Sequence, residues 1–281
     1  MTPVEFTIDE WFCIALARTI RDGEIVFHGF GSPCAQVAMY VAKRTHAPHM
    51  VLVEGSTYAL DPEPAFIPAT SNDWALLRGA DHILRFEELF DLAARGQLDR
   101  MFLSGAQIDP HGNTNVTAVG GLPRPRVKLG GGGGGCNLSA TVRELTLWTT
   151  RHRSGRALVA DCDFITDLGH RTSLGTRKEL GLAGGGPGAM VTELGVFDFP
   201  DGRLRLRELF PDVQLDHVLA ATGFELDVAR DLRAVAPPRA EELAVVRSVD
   251  RLGVRRAEFH PRELERRFSR SAHHASCPCC A

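Results

Sequence analysis

Short apolar runs suited to strands alternate along this chain with helical patterns, and that alternation constrains the fold more than any other feature. Thr7 and Glu10 form a capping-box pair before an apolar helix expected to run to about Arg21, with Gly23 able to close it. Glu24 to His28 reads as a strand and is followed at once by Gly29, Phe30, Gly31, Ser32 and Pro33. Ser32 as N-cap and Pro33 as first helical residue predict a second helix that stops before Pro48. Further strands are predicted at Met50–Glu54, Met101–Ile108 and Ala157–Asp163, the second preceded by the amphipathic segment Phe86–Gly96. Strands separated by helical patterns of about 10–15 residues imply βαβ crossovers. The expected fold class is therefore α/β, a mainly parallel open sheet covered by helices on both faces.

After Gly188 the texture shifts to short runs at Met190–Thr192 and Val196–Phe199 and an antiparallel run at Arg203–Leu209, with helices at Leu215–Thr222 and Arg239–Leu252. Pro237 and Pro238 mark a loop and no domain boundary, because apolar periodicity resumes directly after them. The 281 residues are read as one α/β domain over 1–260 and a flexible tail over 261–281.

With 44% apolar and 24% charged residues the composition excludes a disordered or collagen-like chain, and no apolar run approaches the roughly 18 residues of a bilayer span. A net charge of −3 gives no general reason to expect nucleic acid or an anionic membrane as partner. Met1–Glu10 carries three acidic residues and no basic one, unlike a signal peptide, so a cytoplasmic location is expected. Cys13, Cys34, Cys136 and Cys162 follow no framework spacing and read as reduced thiols. The tail groups His273, His274, Cys277, Cys279 and Cys280, but thiols separated by one residue or none do not match a closed tetrahedral zinc site, and no metal is expected. Eight arginines between Arg247 and Arg270 are interleaved with four acids, a pattern of a solvated helical face or a subunit contact.

Ligands of open parallel sheets bind beyond the carboxyl ends of the strands, which directs attention to three positions. At Gly29, Phe30, Gly31 and Ser32 a substrate can approach backbone amides that begin a helix, although a purely structural turn has the same look. Glu54 closes the run Val51-Leu52-Val53, where desolvation would sharpen a carboxylate nucleophile; a salt-bridged strand end is the plainer alternative. Gly130 to Gly135, closed by Cys136 and Asn137, is costly to order unless the backbone packs closely against something, be it a phosphate, a thioester oxygen or another subunit. It is no P-loop, because no Gly-Lys-Ser/Thr follows, and no dinucleotide fingerprint, because Pro123–Lys128 before it reads as no strand.

In order along the chain, Gly-Phe-Gly-Ser-Pro (29–33), Val51-Leu52-Val53-Glu54-Gly55, Gly105-Ala106-Gln107-Ile108-Asp109-Pro110-His111-Gly112-Asn113, Gly134-Gly135-Cys136-Asn137, and the segments 192–199 and 222–228 resemble the β subunit of family I CoA-transferases, glutaconate CoA-transferase in particular. That resemblance spans about Glu10 to Leu252. It implies a glutamate that attacks an acyl-CoA thioester and carries CoA as a glutamyl thioester to a carboxylic acid, and Glu54 falls on that position. It further implies that amides at Gly134, Gly135 and Cys136 hold the thioester region, that Gly29–Ser32 line the same mouth, and that Gln107 fixes the acid. Coenzyme A would be a co-substrate, with no resident cofactor, and an α subunit would be the partner.

Glu54-Gly55-Ser56 departs from the Glu-Ser-Gly or Glu-Asn-Gly usual in that family. Related chains that lack the glutamate are ring-opening CoA-ester hydrolases of steroid degradation or acyl-CoA decarboxylases, and Gly55 gives this sequence a partial likeness to the hydrolases. A non-catalytic ligand-binding module on the same sheet is the reading from another class. Cys136 is read as a small-residue substitute, since no base that would activate its thiol is identifiable.

Overall fold

The structure, a computed structural model, describes residues 4–270. Its elements are β1 (Val4–Thr7), α1 (Ile8–Ala17), β2 (Ile25–His28), α2 (Pro33–Arg44), β3 (Val51–Val53), β4 (Ala59–Leu60), β5 (His82–Ile83), α3 (Phe86–Ala94), β6 (Arg100–Ser104), β7 (Gln107–Ile108), β8 (Thr114–Asn115), β9 (Ala118–Val119), β10 (Val127–Lys128), α4 (Gly135–Thr141) and β11 (Glu144–Thr149). They continue with β12 (Arg171–Thr172), β13 (Gly175–Thr176), β14 (Pro187–Thr192), β15 (Gly195–Asp198), β16 (Arg205–Leu209), α5 (Leu215–Ala221), β17 (Asp227–Ala234), α6 (Ala240–Val249) and β18 (Arg267–Arg270). A ten-stranded sheet runs β17-β16-β15-β14-β11-β6-β2-β3-β4-β5. Its centre, β14-β11-β6-β2-β3, is parallel throughout. Helices α1, α2 and α6 pack as one layer and α3 with α4 as another, so the expected α/β class is what the chain adopts. No helix among the described residues is long and apolar enough to cross a membrane.

The N-terminal segment follows its local signals. The Thr7 amide and hydroxyl both donate to the Glu10 carboxylate (3.0 and 3.2 Å), which satisfies the entry to α1 as a capping glutamate should. That helix ends at Ala17, four residues short of the expected Arg21, because the chain must turn through Gly23 (φ 80°) into β2. Ser32 and Pro33 start α2 as predicted.

Other expectations fail. The segment Ala157–Asp163 is not a strand; Leu158 makes only isolated bridges to Ile108 and Thr222. The fourth parallel strand is β11, whose polar Thr146 and Thr149 mask its burial in the sequence. Met101–Ile108 also divides, at Gly105, into β6 and the short hairpin strand β7. Val127–Lys128, within a stretch read as no strand, pairs with β9. Antiparallel pairing occurs in the C-terminal part, at β14-β15-β16, and also at β3-β4-β5 beside Glu54. Of the segment 261–281, residues 267–270 form β18 against β1, where Trp11 meets Phe6, Phe210 and Phe268 edge to face and Phe6 stacks on Phe268. The Cys/His cluster at 273–280 lies outside the described residues.

Arg100, the first residue of β6, is fully buried. Its Nε and Nη2 donate to the two oxygens of Glu24 (2.7 and 2.9 Å), just before β2, and its Nη1 to Glu144 (2.8 Å) and Thr146 (2.9 Å) of β11. Removing one member of such a network strands a buried charge, so Arg100→Ala is expected to lose about 3–5 kcal/mol in urea unfolding. Arg100→Lys, keeping the charge without the fork, should lose less.

Candidate active site

The parallel register pairs Phe27 with Val53, which sets His28 beside Glu54 at the carboxyl ends of β2 and β3. Glu54 is fully buried. Its Oε2 accepts three hydrogen bonds, from the Ser56 amide (2.8 Å), the Thr57 amide (2.6 Å) and the Thr57 hydroxyl (2.7 Å). Oε1 has only the Gln36 amide nitrogen, at 3.5 Å. The carboxylate is thus held by one oxygen and comparatively free at the other, the arrangement of an oriented nucleophile.

His28 completes this corner as a neutral ring. The Gly55 amide donates to His28 Nε2 (3.0 Å), so Nδ1 carries the proton and faces the Gly29 carbonyl (3.0 Å). Burial holds His28 below the usual imidazole range against the opposing pull of Glu54. Nε2 and Glu54 Oε1, 3.6 Å apart, are both acceptors and make no ion pair. A Cβ on Gly55 would stand 2.5 Å from the His28 carbonyl oxygen and 2.8 Å from its ring, which explains why glycine follows the glutamate here.

A cavity of about 530 Å³ opens above this corner. It is lined by Gly29, Phe30, Ser32, Gly55, Tyr58 and the whole glycine run 130–135, with aromatic walls from α3. The run packs closely: a Cβ on Gly134 would meet the Phe90 ring at 2.5 Å. Of the residues singled out in the sequence, Gly29, Phe30, Ser32, Gly134 and Gly135 share this cavity; Glu54 is not in its wall, but Gly55 and Tyr58 of the same turn are. Gly31, Gln107 and Cys136 are not in its wall. Gln107 is committed elsewhere, its Oε1 accepting from Asn115 (2.7 Å) and its Nε2 donating to Asp163 (3.0 Å). Cys136 is exposed, and the Gly135 amide donates to the Gly132 carbonyl (2.7 Å). Sequence reasoning missed His28, Gln36 and Thr57; His28 carries the same signal as Glu54, a polar residue ending an apolar strand.

The Coenzyme A transferase family model matches residues 12–221, well over half of the chain. The chain belongs to this family. It is 30% identical over 248 residues to the β subunit of the 3-oxoadipate CoA-transferase of Pseudomonas knackmussii, covering 87% of this chain and 94% of that one. It is 31% identical over 242 residues to the β subunit of the glutaconate CoA-transferase of Acidaminococcus fermentans, covering 83% and 88%. Among solved structures, the decarboxylase AibA/AibB superimposes with a TM-score of 0.78 at 32% identity over 90% of this chain and 98% of the other.

Beneath the glycine run of this CoA-transferase fold lies Asp167, which accepts from the Thr114 hydroxyl at Oδ2 (2.6 Å) and leaves Oδ1 without a partner, facing Gly135. Burial raises its carboxyl to about 6, against the Thr114 hydrogen bond. A carboxyl raised in the folded state supports the fold fully below its ordinary value of 3.8, and that support is lost as pH climbs through about 6. Asp167→Asn should therefore raise the Tm at about pH 8, with the gain shrinking toward zero near pH 4 in thermal scans. A gain independent of pH would refute this origin.

Proposed function

We propose that this chain is the β subunit of a CoA-transferase that moves CoA between an acyl-CoA and a carboxylic acid, with Glu54 as nucleophile and an α subunit as partner. The observation that carries the reading is the Glu54 carboxylate at the end of β3, anchored through Oε2 with Oε1 free of close donors, in a turn whose Gly55 and Tyr58 line the cavity of the glycine run. That both CoA-transferase relatives are themselves subunits of larger enzymes supports the heteromeric assembly.

In the proposed cycle Oε1 attacks the thioester carbonyl, the C–S bond breaks, and CoA leaves as thiolate while Glu54 and the acyl group form a mixed anhydride. The thiolate attacks the Glu54 carbonyl and releases the first acid as carboxylate. The acceptor carboxylate then attacks the glutamyl thioester and expels CoA thiolate, giving a second mixed anhydride; the thiolate attacks its acyl carbonyl, forming the new acyl-CoA and releasing the Glu54 carboxylate. Because Oε2 keeps its three donors, charge that develops on that oxygen when thiolate adds to the glutamyl carbonyl meets donors already in place. CoA is the co-substrate, and no resident cofactor enters the cycle.

The test is intact mass of the αβ complex after incubation with acyl-CoA and trapping with borohydride or hydroxylamine. A modification at Glu54, absent in Glu54→Ala, together with a loss of turnover on the order of 10⁴-fold or more, is expected. Consumption of the CoA ester without any adduct would instead place the chain with hydrolases or decarboxylases of this scaffold.

A further inference from the structure

The turn that anchors Glu54 has two sides. Gly55 and Tyr58 face the cavity of the glycine run, whereas Ser56 and Thr57 face a second, separate cleft of about 330 Å³. A pocket of that volume lies at the small end of the range for small-molecule sites. Its remaining wall comes from the loop between β4 and β5 and from β5 itself, and is mainly apolar: Trp74, Leu77 and Ile83. Trp74 is 82% exposed, although large aromatic side chains are ordinarily covered in the free protein or on binding. Ser56 lines the cleft; its hydroxyl is buried with no hydrogen-bond partner among the described residues, while its amide holds Glu54 Oε2 (2.8 Å). A buried hydroxyl with no partner is unfavourable until something pairs with it.

We propose that this cleft is the acid-side specificity pocket, and that it selects apolar monocarboxylic acids. This rests on the reading of Glu54 as nucleophile. An acyl-CoA meets its nucleophile with two unlike arms, the CoA arm and the acyl arm, and the Glu54 turn stands between two cavities of unlike size and lining. The larger one, floored by backbone, takes the thioester and CoA arm; the smaller, apolar one takes the acyl chain against Trp74, with the Ser56 hydroxyl donating to the substrate's carboxyl oxygen. Among the described residues no lysine, arginine or histidine lines the cleft, and its one ionisable group is Asp73, whose carboxylate accepts from the Ala75 amide (2.8 Å). The second carboxylate of a dicarboxylic acid would enter without a cation and against a like charge.

The experiment uses the αβ complex and pairs acceptor acids of matched length, hexanoate against adipate, within a series of straight-chain monocarboxylates from acetate to octanoate. Hexanoate should exceed adipate in kcat/KM by at least about tenfold, the size of a modest pocket discrimination. Trp74→Ala should raise KM by an amount that grows with chain length, and Ser56→Ala should raise KM across the series. Binding is read separately in a Glu54→Gln complex, from the part of the tryptophan fluorescence change with the same free acids that Trp74→Ala removes, so that chain-length-dependent binding there, with no CoA transfer by the unsubstituted complex, would sink the transferase reading and keep this pocket. Equal use of adipate and hexanoate, or a Trp74→Ala effect independent of chain length, overturns the proposal. So does loss of αβ assembly on Trp74→Ala, which would make the cleft a subunit contact.

Discussion

The buried guanidinium of Arg100 ties together the amino ends of three adjacent strands, and the geometry of the opposite edge depends on it. Glu24, Arg100 and Glu144 stand at the starts of β2, β6 and β11, and β6 lies between the other two in the sheet. Burial alone would raise the Glu24 carboxyl; Arg100 overcomes that and holds it below the usual range. A one-residue slip of any of these strands would turn every side chain to the other face and leave the guanidinium unpaired. The network is therefore weak evidence of net stability and strong evidence of register. With register fixed at the amino ends, His28 and Glu54 come side by side at the carboxyl ends, where sheet topology places ligands.

Around Glu54 the sequence is constrained by its neighbours in space. Gly55 is glycine because the His28 backbone and ring fill the space of a Cβ, and His28 is neutral because it is enclosed there and accepts the Gly55 amide. The unusual Glu-Gly-Ser order is thus one half of a pair, and the local likeness to hydrolase chains at Gly55 has a packing cause in this chain. Ser56 and Thr57 then supply the donors to Oε2 that a different turn would have to provide otherwise.

Much of the architecture could be read along the chain because local signals agreed with it: Thr7 and Glu10 at the entry to α1, Ser32 and Pro33 at the entry to α2, and Val51-Leu52-Val53 closed by Glu54. The errors came where tertiary contacts overrode pattern. β11 looks half polar, yet Thr146 is buried because it accepts from Arg100, a partner distant in sequence. Ala157–Asp163 looks apolar and strand-like, yet it finds only isolated bridges to Ile108 and Thr222. At the site, glycine runs and a strand-closing carboxylate were visible from residue type alone. Gln36 and the division of the Glu54 turn between two cavities were not, since both follow from how helix and loop pack against the strand end.

A carboxylate proposed as a nucleophile must be stripped of water, and the turn 55–58 meets that demand. It encloses Glu54 completely in this conformation, removing the hydration that would blunt Oε1. Yet it is only four residues long, bordered by a cavity on either side, and Tyr58 sits in it at φ 56°, a conformation that costs a non-glycine residue about 1 kcal/mol or more. What holds Tyr58 there is its amide on the Glu54 carbonyl (3.1 Å) and its carbonyl on the Leu84 amide (3.0 Å). The Arg100 network lies at the far end of the same strands, so the register that brings His28 beside Glu54 is set apart from the strain held at Tyr58.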